Sequence, residues 1–152
     1  MKNLDFMRRI GLGAIKSGDY FARYKMPGFK IDCVFCPEVR ETAEHLFYGS
    51  KLLSEVRSLV VSSIKDIGID CSSMTDEQRK CLFCLGLGPG NVEKLTQRKI
   101  FSMIAETNRV IWSIRNEVLF SYERNGVEKV TSLVRPIMNW IKNQVLFTTF
   151  NG

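Results

Sequence analysis

The chain has 152 residues, 45% of them hydrophobic and 25% charged, which suffices for one domain with a real core and shows no shift that calls for two. A net charge of +6 favours an anionic partner, and five cysteines, an odd number without a regular framework, point to a reducing compartment. No stretch reaches the roughly 18 apolar residues that span a bilayer, and Asp5, Arg8 and Arg9 break the N-terminus as a secretory signal, so the expectation is an intracellular protein of nucleus or cytoplasm with no membrane partner.

In chain order, Leu4–Ile15 predicts a helix weakened by Gly11 and Gly13. Ser17 predicts the cap of a short helix through Tyr20, Phe21 and Arg23. From Lys25 to Glu41, Pro27, Gly28 and Pro37 predict a loop or small hairpin around two cysteines. Over Lys51–Ile67, the residues Leu52, Val56, Leu59, Val60, Ile64 and Ile67 recur at helical spacing, and Gly68 supplies the stop. Thr75-Asp76-Glu77-Gln78 reads as a capping box opening a helix that carries Cys81, Leu82 and Leu85.

Gly86–Asn91, with three glycines and a proline, predicts a flexible linker. Beyond it a long helix runs from about Val92 to Glu123, its apolar face made of Leu95, Ile100, Phe101, Ile104, Ile111, Ile114, Val118 and Phe120. After Gly126 a last helix over Val127–Phe147 is kinked or divided at Pro136, and the short connection predicts that the two pack antiparallel. The fold expected is all-α or nearly so: a single-domain helical bundle over 1–152, with a basic arm and small Cys/His knuckle loop in 1–50 and the bundle proper in 51–152.

Charge is distributed unevenly. Residues 1–30 carry seven basic and two acidic groups, residues 31–80 six and nine, and residues 81–152 nine and five. The basic N-terminal arm therefore predicts phosphate contacts through Arg8, Arg9, Lys16, Arg23, Lys25 and Lys30. Tyr20, Phe21, Tyr24 and Phe29 are interleaved with them and suit stacking on unpaired bases. Phe21 reads rather as an anchor of the arm onto the core, and Tyr24 and Phe29 fit either role.

The run Cys33-x2-Cys36-x8-His45-x4-Ser50 has the spacing of a Cys-Cys-His-Cys zinc knuckle whose last donor is serine. Zinc takes four thiolate or imidazole donors in a tetrahedron, and a neutral hydroxyl is a much poorer one. The reading is a zinc site on Cys33, Cys36 and His45 with an incomplete ligand set, open to completion by Cys71, Cys81 or Cys84; the other reading is two buried cysteines and a helix-start histidine left by a zinc-binding ancestor. Cys81 and Cys84 share the two-residue spacing but fall within an amphipathic helix and read as core. The glycine-rich segment lacks the Gly-Lys-Ser/Thr ending of a phosphate loop. With His45 the one histidine and no nucleophile-base spacing, no enzyme is predicted.

Cys33-Val34-Phe35-Cys36 followed by Glu41-Thr42-Ala43-Glu44-His45-Leu46-Phe47 resembles the C-terminal zinc-knuckle region of non-LTR (LINE-type) retrotransposon reverse transcriptases, with the last cysteine replaced by Ser50. Arg9-Ile10-Gly11 and Gly18–Tyr24 are similar to the basic lead-in of that region, and Val110–Val118, with Trp112, Arg115 and Asn116, to the helix that follows it. The resemblance covers roughly residues 8–120. It implies nucleic-acid handling beside a polymerase that this chain does not contain, as a detached or domesticated tail or as a fragment of a longer chain. The function expected is a non-catalytic module binding RNA or single-stranded DNA. The alternative is a protein-interaction or scaffold domain that keeps the helical fold around a degenerate knuckle, meeting a partner or itself through the C-terminal helices and Leu146–Phe150.

Overall fold

The computed structural model describes residues 2–36 and 38–120, with 139 and 143 as isolated helical positions beyond them. Within the described residues the fold is all-α, and the one bridge between extended segments pairs Asp32 with Arg40. The helices are α1 (Lys2–Gly11), α2 (Gly18–Arg23), α3 (Ser54–Asp66), α4 (Asp76–Leu85) and α5 (Lys94–Phe120). A π-helical turn at His45–Gly49 and a 3-10 turn at Lys51–Leu53 lead into α3. The final helix, its division at Pro136, its antiparallel pairing with α5 and the Leu146–Phe150 patch lie outside the described residues.

The longest helix, α5, is the spine against which α1, α3 and α4 pack. Its buried stripe runs through Ile100, Ile104, Asn108, Ile111, Arg115 and Val118, a three- or four-residue spacing that keeps one face inward. Leu95, expected on this face, is 52% exposed, because it sits in the first turn before α5 reaches its neighbours. Two members of the stripe are polar, and each is satisfied. Asn108 donates from Nδ2 to the Phe83 carbonyl at 2.8 Å, pairing one of the last carbonyls of α4. Arg115 reaches across to the knuckle, as described below.

Local chemistry sets the helix ends. Thr75 and Gln78 form the reciprocal capping box at the start of α4. At its end Gly86 adopts φ +72°, and Gly86 and Leu87 return their N–H groups to the Leu82 and Cys81 carbonyls. A side chain at Gly86 would be strained by that conformation and would press on Phe101, 2.8 Å from a built Cβ. The segment expected to be a flexible linker is strapped down: Gln97 donates to the Gly86 carbonyl at 2.7 Å and accepts from Gly88 N–H at 2.9 Å. The expectation for Cys81 also changes. Cys84 is partly buried against the core, but Cys81, three residues earlier on the helix, is exposed.

The N-terminal third wraps the same body. Met7 and Ile10 bury one face of α1 against α4 and α5, and α1 stops at Gly11, short of Ile15. Ser17 caps α2 by accepting from Tyr20 N–H. The start of α2 then passes so close to the knuckle loop that a Cβ on Gly18 would lie 2.2 Å from the Ile31 carbonyl oxygen. Only glycine fits there.

Candidate metal centre

The knuckle is a tight backbone loop. Cys33 N–H donates to the Val39 carbonyl at 2.7 Å, and Val39 N–H returns to the Cys36 carbonyl at 3.3 Å. This turns the peptide N–H of Phe35 onto the Cys33 sulfur at 3.4 Å, with the Cys36 N–H directed to the same atom. Amide donors aimed at sulfur favour the thiolate. Burial opposes them more strongly and pushes the Cys33 thiol up to about 11, so the anion needs a cation beside it.

His45 approaches from the other side. The Thr42 hydroxyl accepts from His45 N–H at 3.0 Å and fixes the first turn of the π-helical segment. That segment is held to α4 by Tyr48 Oη donating to Asp76 at 2.6 Å, by Lys80 paired with Glu44 at 3.1 Å, and by Tyr48 stacked on Phe83. The ligand atoms of Cys33, Cys36 and His45 then lie within 4.8 Å of one another. Four donors on a tetrahedral zinc stand about 3.5–3.8 Å apart, so small side-chain adjustments close the set.

His45 Nε2 is buried and has no hydrogen-bond partner. Burial, reinforced by the nearby Arg57 charge and opposed by Glu41, holds the imidazole below the usual histidine pKa and keeps it in the neutral, ligating form. A neutral imidazole with an unsatisfied buried nitrogen, on a residue that gathers with two cysteines, suits a metal ligand. The three residues can hold a metal ion.

Ser50 stands where the spacing predicts a fourth donor. It is fully buried, and its Oγ lies 3.7 Å from Cys36 Sγ. Among the described residues, Cys71, Cys81 and Cys84 do not join the group, so they do not complete the set. Arg57, from α3, donates through Nη2 to the Ser50 carbonyl and has Nη1 buried without a partner. Its charge acts on both Cys36 and His45. No sequence signal marks Arg57, since it sits at an unremarkable helix position.

A second junction ties the knuckle to the spine. Glu41 is fully buried and takes Arg115 Nε on both oxygens, at 2.9 and 3.1 Å, with Arg115 Nη2 adding a further bond. The same carboxylate accepts from Gly18 N–H at 2.9 Å, while the Glu41 carbonyl accepts from Asp19 N–H at 2.8 Å. Glu41 thus gathers the start of α2, the knuckle and α5. The sequence signal for it was the arginine on the buried stripe of α5, which requires a buried partner.

The basic arm is only partly free. Arg9 pairs with Asp5 at 3.1 Å, and Arg23 pairs with Asp19 at 3.0 Å while donating to the Gly13 carbonyl. Arg8, Lys16, Lys25 and Lys30 are exposed with no ion-pair partner among the described residues. Tyr24 is 62% exposed, with Arg23 over its ring. Phe21 is buried as the anchor expected, and Phe29 stacks on it with centroids 4.0 Å apart. No described helix is long and apolar enough to cross a membrane. Comparison with known proteins finds no matching family model, no similar curated protein and no similar solved structure.

Proposed function

We propose that this chain is a non-catalytic module that grips single-stranded nucleic acid with its basic arm, and that a zinc ion on Cys33, Cys36 and His45 secures that arm to the helical body. The observation that carries the reading is the convergence of two cysteines and a histidine with a buried, unpartnered nitrogen, in a chain whose N-terminal arm exposes four cations without an ion-pair partner among the described residues. Two sulfurs and an imidazole favour zinc among the common divalent ions. Bound there, the ion supplies no reaction; it offsets the thiolate charge and holds the loop closed. Ser50 offers a weak fourth donor, so affinity for the ion is lower than that of a four-ligand site.

Descent from a retroelement reverse transcriptase tail belongs to the same proposal. It draws support from Glu41 and Arg115, which come from two separate stretches of the resemblance and meet in one buried ion pair.

Four phosphate contacts on a single strand give a salt slope near −2.8, so affinity should fall about fiftyfold between 50 and 200 mM salt. Fluorescence anisotropy with a labelled single strand measures this. The triple variant Arg8→Glu, Lys25→Glu, Lys30→Glu should weaken binding at least about tenfold at low salt, and unchanged affinity would remove the arm from the reading. A protein-docking role is the second reading, favoured by the half-exposed Leu4, which lines a 400 Å³ depression with Phe101 and Arg98.

A further inference from the structure

Between the arm and α5 lies a cavity of 460 Å³, within the size range of small-molecule sites. Phe21 and Phe29 line it from the arm, and Trp112, Arg115 and Asn116 from α5, with Lys16 beside them. Its walls are flat and aromatic. Phe29 lies parallel to Phe21, 8° between the planes, which covers one face of its ring, and it remains 46% exposed. Trp112 is held in place by the Arg115 guanidinium, 4.5 Å from its centroid, and that guanidinium is itself locked by Glu41.

The polar groups of the cavity are sorted by what they already do. Arg115 spends its donors internally, on Glu41, the Lys16 carbonyl and Asn116 Oδ1. The last of these bonds, at 2.8 Å, orients the Asn116 amide with its oxygen occupied. Its Nδ2 makes no hydrogen bond among the described residues, and neither does Lys16 Nζ. What remains is a slot for a planar ring, with an amide donor and a cation at its edge. Such a slot takes a flat ring that carries carbonyl acceptors and is attached to a negative charge.

We infer that this cavity receives one unpaired nucleobase of the bound strand, stacked against Phe29, with a ring carbonyl accepting from Asn116 Nδ2 and an adjacent phosphate at Lys16. The inference rests on the nucleic-acid reading above and adds a base-holding site to it. Arg115 is a positioning residue here, and Phe29 and Asn116 are the contacts.

The test uses the full chain and two labelled ten-nucleotide strands of equal charge, oligouridylate and an abasic backbone, by anisotropy at 50 mM salt. The wild type should prefer the oligouridylate at least about fivefold, as one base-aromatic stack provides. Phe29→Ala should abolish that preference while leaving affinity for the abasic strand unchanged. Asn116→Asp keeps an acceptor for Arg115 but removes the donor, and should also reduce the preference; it covers the case in which Phe29→Ala fails to fold. Equal binding of both strands by the wild type, or an undiminished preference in Asn116→Asp and in a folded Phe29→Ala, overturns the base site and leaves the electrostatic grip standing. Binding of neither strand overturns both.

Discussion

At Ser50 a single oxygen bears on the strength of the proposed zinc site. The buried hydroxyl already sits 3.7 Å from Cys36 Sγ, so Ser50→Cys places a thiol beside the cluster. It should raise zinc affinity at least about tenfold in a chelator competition, since a soft anionic donor replaces a neutral hydroxyl. Glu41 and Arg115 form the buried ion pair that ties the knuckle to α5. Arg115→Met leaves a buried carboxylate with only the Gly18 N–H as partner, and should cost about 3–5 kcal/mol in urea unfolding. Adding Glu41→Gln to that variant should restore part of the loss, because the uncompensated charge is gone. Two independent costs that simply added would show that the pair is not coupled. Of the residues around the cluster, Cys33, Cys36 and His45 were legible from spacing alone. Arg57 was not, because nothing in a sequence says which arginine on a helix turns inward.

At the scale of elements, the helices that the sequence announced most clearly are those with a long apolar stripe or a complete cap. α3, α4 and α5 qualify, and the capping box at Thr75 forms as read. What periodicity missed were departures made by tertiary contacts. The turn carrying His45 widens to a π-helix while Tyr48 reaches Asp76, and the glycine-rich segment after α4 is rigidified by Gln97. Composition marks such a segment as unable to be a helix, but not as pinned. Asn108 shows the same limit, since a polar residue amid an apolar face has meaning only once α4 is beside it. Asn108→Ala leaves the Phe83 carbonyl buried and unpaired, and should cost about 1–3 kcal/mol by thermal or urea unfolding. A change below half a kcal/mol would mean that α4 and α5 do not depend on this bond.

The whole molecule is a helical body whose N-terminal arm is tied to α5 by the Glu41–Arg115 pair, with the Cys/His cluster as the proposed second fastening. The two fastenings use different residues, although the Glu41 charge acts on both Cys33 and His45. Removing the ion should loosen residues 16–50 in hydrogen exchange while the α4–α5 core stays protected, because its burial of Leu82, Ile100 and Ile104 involves no metal. The most direct test is metal content of the full chain purified in reducing buffer, measured by elemental mass spectrometry on the wild type and on Cys36→Ala. The expected result is close to one zinc per wild-type chain and less than about a tenth in the variant. A wild type that also holds less than about a tenth would contradict it, and the arm would then be secured by Glu41 and Arg115 alone.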